Sequence, residues 1–522
     1  MENSVERKQR DKRRDIPSGI MGIYALVVLC IFPVVYHNFY FDILETKYQF
    51  YCVVSITMMV SMLVYGLYTN KIIEYFKTFK IDKFVKSLHA VDWAILMFWF
   101  ANVVSWLLCK WRWEAFWGTS GRYNGVFLMT IYTIVYFLVT RFFKLKRFYL
   151  DAFLLVSIFV CLFGISDHFQ MDLLGFKEFM LDEQKAIYTA TFGNINTYTV
   201  YVGAAVCVSM ILFAMEKNLL RMGYYIVVMA ISMVALIIGA SDNAYLTLAA
   251  LFGLSPLFLF ATKTGVRRYI VSVAMFLTAI LFVGWINTAY AEQVYRLEGI
   301  FVLISKLALL PKCAIILWMI VITSVVFSKT AIASKKEEIG KWLRLIWAAI
   351  IVGTASIVIY VLYDANVIGN VERYQAISRY VIFNDTWGTN RGYVWKRSME
   401  LFSGIFTPVQ QLFGYGADTF KLLMMQYYPP TGNVVFDSAH NEYLHFLVTI
   451  GVAGAGAYVA FLVSACISMV KRVRATMNPE VGAVLFVALA YAIQATVNIN
   501  LPVVFPLIFV LLALGLSKQA DE

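Results

Sequence analysis

A series of long apolar segments limits the folds that this chain can adopt. A helix needs about 20 mostly apolar residues to cross a bilayer. By that measure the sequence contains fourteen candidate spans, at residues 20–36, 50–68, 91–108, 126–140, 149–164, 198–215, 222–239, 244–261, 269–286, 310–327, 345–363, 443–469, 481–497 and 503–516. The sequence therefore predicts an all-α fold, a polytopic transmembrane helix bundle of about 14 spans.

The overall composition supports the same fold class. Of the 522 residues, 61% are hydrophobic and 15% are charged, whereas a soluble domain has roughly 45–50% apolar and about 25% charged residues. The net charge of +12 could indicate a nucleic-acid partner, but the basic residues occur in short runs between apolar segments, which is typical of cytoplasmic loops. We expect membrane lipids as partners and no nucleic acid.

The distribution of charge predicts the topology. If the N-terminus is cytoplasmic, alternate loops hold 29 of the 44 Lys and Arg residues, as the positive-inside rule requires. Both termini are then cytoplasmic. We expect the first span to stay in the protein and not to be cleaved off as a signal peptide. The predicted regions are a basic cytoplasmic N-terminus at 1–19, spans 1–11 within 20–363, a large extracytoplasmic loop at 364–442, spans 12–14 within 443–516 and a cytoplasmic C-terminus at 517–522.

The large loop is predicted to be partly helical. Apolar residues recur at helical spacing in 390–406, which favours an amphipathic helix at the membrane surface. Asp418 is placed to cap a second helix that runs through Gln426. The spans carry few ionisable residues, whereas transporters place charges at the membrane midplane. We therefore expect the active surface to be extracytoplasmic.

Two residues of this loop are candidates for catalysis. His440 lies where the loop re-enters the membrane, in a segment with Asp437 and Glu442. A partly desolvated imidazole near carboxylates is a tunable general base, although it could equally anchor the end of a helix. His445, five residues later, is expected to point elsewhere and to tolerate alanine. Arg391 lies in a Gly-containing stretch where a guanidinium can bind phosphate through two hydrogen bonds, or merely hold a lipid phosphate or a loop acid.

Other polar residues are candidates for substrate binding. Arg122 lies in a second Gly-rich loop and could bind phosphate in the same way as Arg391. Asn194, Asn196 and Asp242 could form hydrogen bonds with sugar hydroxyls, with helix capping as the favoured alternative. Asn441 is a further candidate for substrate binding.

The sequence lacks the motifs of several other kinds of active site. The chain has no HExxH motif, P-loop or GxSxG motif, so we expect neither a metal nor a cofactor. The seven cysteines include no CxxC pair and are expected to pack in the bundle. The Gly451-x-x-Gly454-x-Gly456 run is interpreted as a helix-packing surface.

Five motifs in this order are similar to those of the O-antigen ligase and O-antigen polymerase family of bacterial membrane glycosyltransferases. They are Ser120-Gly-Arg-Tyr-Asn-Gly125, Thr191-Phe-Gly-Asn-Ile-Asn196, Arg391-Gly-Tyr-Val-Trp395, Leu412-Phe-Gly-Tyr-Gly-Ala-Asp-Thr-Phe420 and His440-Asn-Glu-Tyr-Leu444. The resemblance implies an undecaprenyl-pyrophosphate-linked glycan donor, no metal, and an important loop histidine and loop arginine. By position these are His440 and Arg391. Many family members have an arginine where this chain has Ser241-Asp242-Asn243, a contact that Arg122 could supply.

The resulting hypothesis is a single inverting displacement, with His440 as the base and with Arg391 and Arg122 binding the pyrophosphate. The resemblance implies a glycan or glycolipid acceptor at the outer face of the bacterial cytoplasmic membrane. Two alternatives remain open at this point. A lipid-linked glycan flippase or another transporter would have a similar number of spans, and a protein O-oligosaccharyltransferase would share the chemistry with a different acceptor.

Overall fold

The computed structural model describes residues 16–327, 337–429 and 435–517. The chain is 77% helical, with almost no strand. In the described part, nine helices are long and apolar enough to cross a membrane, and five further apolar helices are 10–17 residues long. Each of the fourteen predicted segments falls on one of these helices. The predicted all-α polytopic bundle is therefore confirmed.

Helices make up most of the described chain and follow one another in the order below. The first twelve are α1 Ile16–Val34, α2 Ile43–Tyr68, α3 Lys71–Thr78, α4 Ile81–Ser87, α5 Ala90–Leu108, α6 Arg112–Trp117, α7 Val126–Phe142, α8 Arg147–His168, α9 Asp182–Lys185, α10 Ile195–Met215, α11 Leu219–Ile238 and α12 Asp242–Leu259. The rest are α13 Lys263–Ala289, α14 Ile300–Ser305, α15 Leu309–Phe327, α16 Glu337–Tyr363, α17 Ser378–Val381, α18 Trp387–Glu400, α19 Pro408–Phe413, α20 Phe420–Tyr427, α21 Glu442–Thr476, α22 Pro479–Gln494 and α23 Phe505–Leu516.

Helix α10 forms the centre of the bundle. It is apolar all round and almost wholly buried, because α8, α11, α12 and α22 surround it. A short hairpin precedes it, in which β1 (Tyr188–Thr189) pairs antiparallel with β2 (Gly193–Asn194). Helix α16, by contrast, keeps its apolar surface exposed, as expected for a helix that faces lipid. We call the end of the bundle where α10, α12 and α21 begin the loop end.

Helix α21 is broken near the loop end. Gly451 has φ +70° and ψ −174°, which are not helical angles. The loop backbone contacts the turn before this break: the N–H of Tyr415 donates to the carbonyl of Val448 at 3.1 Å, and that of Gly416 donates to the carbonyl of Thr449 at 3.0 Å. The large loop is therefore fixed to the bundle through backbone hydrogen bonds.

Glycine is required on both sides of this contact. A Cβ atom on Gly414, which has φ +81°, would lie 2.2 Å from the backbone of Thr449. A Cβ atom on Gly451 would lie 2.3 Å from the carbonyl oxygen of Leu412. Gly451 therefore lies where α19 packs against α21, in agreement with a helix-packing surface, and it also breaks α21 so that the loop can dock.

The loop has a small hydrophobic core of its own, which holds its two predicted helices against the start of α21. The buried residues of this core are Val394, Leu401, Phe406, Phe420, Leu423, Met424, Ala439 and Val448. Both helices are present, as α18 and α20. The prediction that Asp418 caps the second helix was wrong: α20 has Thr419 at its N-cap position, and the Asp418 carboxylate binds elsewhere.

Candidate active site at the loop end

A buried ion pair joins the Gly-rich turn at 118–125 to the large loop. Arg122 Nε donates to Asp418 Oδ1 at 3.1 Å, and the two residues are 1% and 4% exposed. The other carboxylate oxygen, Oδ2, accepts from the backbone N–H groups of Thr119 at 2.9 Å and Asn124 at 3.0 Å. Asp418 therefore holds both the side chain of Arg122 and the turn that carries it.

The far side of Arg122 faces a very small polar cavity. This cavity has a volume of about 10 Å³, and its lining includes Arg122, Glu442 and His445. The Glu442 carboxylate accepts from the hydroxyl groups of Tyr458 at 2.7 Å and Tyr491 at 2.8 Å. A cavity of this size holds about one water molecule. The cavity is therefore too small for the pyrophosphate group that Arg122 was predicted to bind.

His445 forms part of the wall of the same small cavity. It is 5% exposed, and its ring centroid lies 5.2 Å from that of Phe420 in the loop core. Truncation to alanine would remove these contacts and leave a cavity. The structure thus revises the expectation that His445 tolerates alanine: we now expect the change to reduce stability.

Arg391 has a different environment. The three preceding residues, Gly388, Thr389 and Asn390, all have positive φ angles, of +58°, +56° and +70°. For residues other than glycine this conformation costs roughly 1–2 kcal/mol each. The regular part of α18 begins at Arg391, which is 8% exposed and donates from Nη1 to the carbonyl oxygen of Gly388 at 3.3 Å. The strained turn therefore sets where the Arg391 side chain enters the site.

A large cavity opens beside Arg391, between the loop and the bundle. Its volume is about 570 Å³, within the range of roughly 300–1,000 Å³ that is usual for small-ligand sites. The loop contributes Arg391, Arg379 and Asn384, and the bundle contributes Tyr245 from α12 and Ile300 from α14. Arg379 was not singled out in the sequence, because nothing in its local pattern separates it from other loop arginines. Two guanidinium groups on one cavity can bind an anion.

His440 lies within electrostatic range of Arg391, and a tryptophan ties the residue before it to α18. Trp395 is four residues after Arg391 on α18, so the two side chains share a face of the helix. Trp395 Nε1 donates to the carbonyl oxygen of Ala439 at 2.8 Å. Ala439 precedes His440, whose own backbone has φ +45°. The two candidate catalytic residues, predicted separately, are therefore brought together.

The electrostatics of His440 agree with this placement. Burial, together with the positive charges of Arg391 and Arg122, lowers the pKa of the His440 imidazole to about 4, and the negative charge of Asp437 acts in the opposite direction. The side chain is half-buried. His440 is consequently neutral near pH 7, as a general base must be.

The remaining candidate residues lie at helix starts. Asn194 accepts from the N–H of Asn196 at 2.8 Å and caps α10, and Asn441 accepts from the N–H of Leu444 at 3.0 Å and caps α21. The Asn196 side chain accepts from the Ser241 hydroxyl at 2.6 Å. The interactions of these three asparagines are those of helix caps and connections. Asp242 begins α12, and its side chain lies outside the described residues.

A metal site requires several ligating side chains close together. Within residues 16–327, 337–429 and 435–517, no three His, Cys, Asp or Glu side chains are grouped so that they could hold a metal ion. The charged side chains that line the large cavity are Arg379 and Arg391.

Part of the chain matches a known sequence family. Residues 299–459 match the sequence family described as O-antigen ligase. The matched segment contains Arg391, His440 and Asn441, and it ends before α21 does. No curated protein matches the chain. The match supports the assignment that the motifs predicted, and with it a membrane protein of polysaccharide or lipopolysaccharide biosynthesis.

Proposed function

We propose, from the match of residues 299–459 to the O-antigen ligase family, that the protein transfers a glycan from an undecaprenyl pyrophosphate carrier to an acceptor hydroxyl. The reaction takes place at the outer face of the bacterial cytoplasmic membrane, with both termini in the cytoplasm. The acceptor is a glycan or a glycolipid. The enzyme is a glycosyltransferase that inverts the anomeric configuration and needs no metal.

One observation carries this proposal. Arg391 and His440 are 49 positions apart in sequence and both lie in the matched segment, yet the charge of Arg391 acts on the His440 imidazole. Arg391 also lines the cavity of about 570 Å³. Arg391 therefore offers a cation for the leaving group on a substrate-sized cavity, and its charge acts on the neutral imidazole of His440.

The leaving group accounts for the arginine. In the proposed step the bond between the anomeric carbon and the pyrophosphate oxygen breaks, and the electron pair stays on polyprenyl pyrophosphate. A planar guanidinium group matches two phosphate oxygens and stabilises this charge without a metal ion. Arg391 supplies that group, and Arg379 on the same cavity is placed to assist it.

The acceptor accounts for the histidine. The acceptor oxygen attacks the anomeric carbon from the face opposite the leaving group, and its proton passes to the neutral imidazole of His440. A base with a pKa of about 4 is weak, and its positive neighbours are part of the reason. The negative pyrophosphate offsets those charges on binding, so the bound donor raises the pKa of His440 towards the range in which it acts as a base.

Arg122 is assigned a different role from Arg391. Its ion pair with Asp418 and the small size of the cavity that it lines support a positioning role. It holds the turn at 118–125 against the loop and adds to the positive charge felt by His440.

The test is a reconstituted reaction. Purified protein in detergent, with a polyprenyl-pyrophosphate-linked glycan, an acceptor and excess chelator, is expected to release polyprenyl pyrophosphate and form an inverted linkage without ATP. The acceptors tested are glycolipid, oligosaccharide and protein. Turnover that chelator abolishes would contradict metal independence. Transport of the intact lipid-linked glycan across vesicles, without transfer, would contradict the enzyme assignment.

A further inference from the structure

A second cavity lies at the loop end, outside the segment that matches the family. Its volume is about 290 Å³, and it lies between the end of α8, the β1–β2 hairpin and the segment at 295–298. Its floor contains three ionisable side chains that are each at least 96% buried, Asp167, His168 and Lys177. Arg296 and Glu298, both exposed, form its rim. The cavity is therefore polar at the bottom and open to solvent.

Asp167, which lines this cavity, has one carboxylate oxygen that lacks a hydrogen-bond donor in the part of the chain that the structure describes. Its Oδ2 atom accepts from the backbone N–H of Ala190 at 2.6 Å, which fixes the carboxylate. Its Oδ1 atom is buried and has no hydrogen-bond partner among the described residues. A buried carboxylate oxygen without a donor is costly. Because Asp167 lines the cavity, a ligand hydroxyl group can supply that donor.

The other lining groups restrict the class of ligand. Lys177 Nζ lies 4.8 Å from the centre of the Tyr295 ring, and Tyr188 lines the same cavity. Burial lowers the pKa of Lys177, while the negative charges of Asp167 and Asp172 act in the opposite direction. A carboxylate acceptor, an amine donor and aromatic rings together suit a molecule that is rich in hydroxyl groups and has apolar C–H faces.

The cavity also lies close to the cavity that contains Arg391. Glu298 lines the polar cavity and Ile300 lines the Arg391 cavity. Residues two apart are separated by at most roughly 7 Å along an extended chain. The wall between the cavities is braced by the Tyr245 hydroxyl, which accepts from the N–H of Ile300 at 2.8 Å. The distance of at most roughly 7 Å between residues 298 and 300 is comparable with the length of one or two sugar rings.

We infer that the cavity lined by Asp167 and Lys177 is a saccharide subsite, which binds sugar residues of a glycan whose reacting end lies at the Arg391 cavity. This inference rests on the proposed function and adds a recognition site to it. The glycan belongs either to the donor or to the acceptor, and both offer the same hydroxyl groups.

The test measures saccharide binding without catalysis. The probe is the oligosaccharide released by mild acid from the polyprenyl pyrophosphate pool of the producing cell, titrated against purified protein by tryptophan and tyrosine fluorescence. Asp167→Asn keeps an oxygen for the N–H of Ala190 and puts an amide nitrogen where the carboxylate Oδ1 was. We expect it to weaken binding at least tenfold. Asp182→Asn, at an exposed aspartate of the same connection, is the control and should bind like the wild type.

A second variant protects the test against misfolding. Ala186 lines the cavity at an exposed position, so Ala186→Trp fills the cavity without changing the buried charges. It should also lose at least tenfold in affinity, at an unchanged melting temperature. Wild-type affinity in Ala186→Trp, or no saccharide binding by the wild type, would overturn the subsite.

Transfer assays separate this inference from the proposed function. In Ala186→Trp, a raised KM for the donor assigns the subsite to the donor glycan, and a raised KM for the acceptor assigns it to the acceptor. Normal transfer with both KM values unchanged would overturn the subsite and leave the proposed function intact. Saccharide binding that requires Asp167, in a protein that performs no transfer, would support the subsite and contradict the proposed function.

Discussion

Arg122 and Arg391 offer a comparison within one molecule. Both are buried, both follow glycine-rich turns, and both lie at the loop end of the bundle. Arg122 forms an ion pair with Asp418 and lines a cavity of about 10 Å³. Arg391 starts a helix after a strained turn and lines a cavity of about 570 Å³. The difference shows that the partners and the space around an arginine, rather than its local motif, indicate whether it can bind a substrate.

The two regions should respond differently to substitution. Around Arg122, a change removes one partner of a buried pair and leaves the other uncompensated, so folding stability should fall. Arg391 lines a cavity and His440 is only half-buried, so a change at either residue should lower transfer while the fold persists. The predictions below test this difference.

The largest expected effect is on the rate of transfer in His440→Ala. Loss of a general base should lower kcat by about 10²- to 10⁴-fold. The melting temperature and donor affinity should stay near the wild-type values, because the side chain is only half-buried. The matched control is His37→Ala, at an exposed histidine. A kcat for His440→Ala within a few-fold of the wild type would remove this residue from the chemical step.

The next effect is on stability in Arg122→Met. Breaking a buried ion pair by removing one partner costs about 3–5 kcal/mol. Chemical unfolding should therefore show a large loss, which Asp418→Asn in the same chain should partly restore, since asparagine can still accept from the turn. Lys185→Met, at an ion pair whose partner Asp182 is exposed, is the control and should change stability little. Normal stability with lost donor binding would make Arg122 a donor contact after all.

A smaller effect is expected for Arg391→Lys. Lysine keeps the charge but loses the two-pronged geometry. Because hydrogen bonds to charged groups contribute roughly 1.5–3 kcal/mol, the donor KM should rise by roughly 10- to 100-fold. Arg397→Lys, on the same helix and paired with Glu400, is the control and should bind donor normally. An unchanged KM would show that a point charge suffices.

The smallest effect is a shift in pH dependence. His440 acts when neutral, so activity is lost as pH falls through its pKa. The acid limb of kcat/KM, which reports the free enzyme, should lie near the lowered pKa of about 4. The acid limb of kcat should lie at higher pH, because bound pyrophosphate offsets Arg391. A single limb in both profiles would mean that the donor does not change the environment of His440.

Much of the fold could be predicted from the sequence. The fourteen apolar segments all fall on helices, because the bilayer imposes the same length and composition on every span. Helix α18 was also predicted, because its apolar residues recur at helical spacing, and α20 was predicted from a cap at Asp418. The prediction that was wrong concerned Asp418, whose role depends on a contact between residues far apart in sequence. Asp418 has the local pattern of a cap, but its partner Arg122 is 296 positions away.

The candidate site was predictable to a similar degree. Arg391 and His440 were found from their residue types, their position in one loop and their family motifs. Their juxtaposition depends on Trp395, which contacts the backbone of Ala439 and therefore leaves no signal in the identity of residue 439. Asp167 and Lys177 come together only when the connection between α8 and α10 folds back. No local pattern marks either residue.

The most direct test of the central claim is a structure of the purified protein with an unreactive polyprenyl pyrophosphate analogue. We expect pyrophosphate oxygens to lie at about 2.7–2.9 Å from the Arg391 guanidinium group. The anomeric position should face His440, while Arg122 stays paired with Asp418. A pyrophosphate bound to Arg122, or bound elsewhere without contact to Arg391, would contradict the role proposed for Arg391.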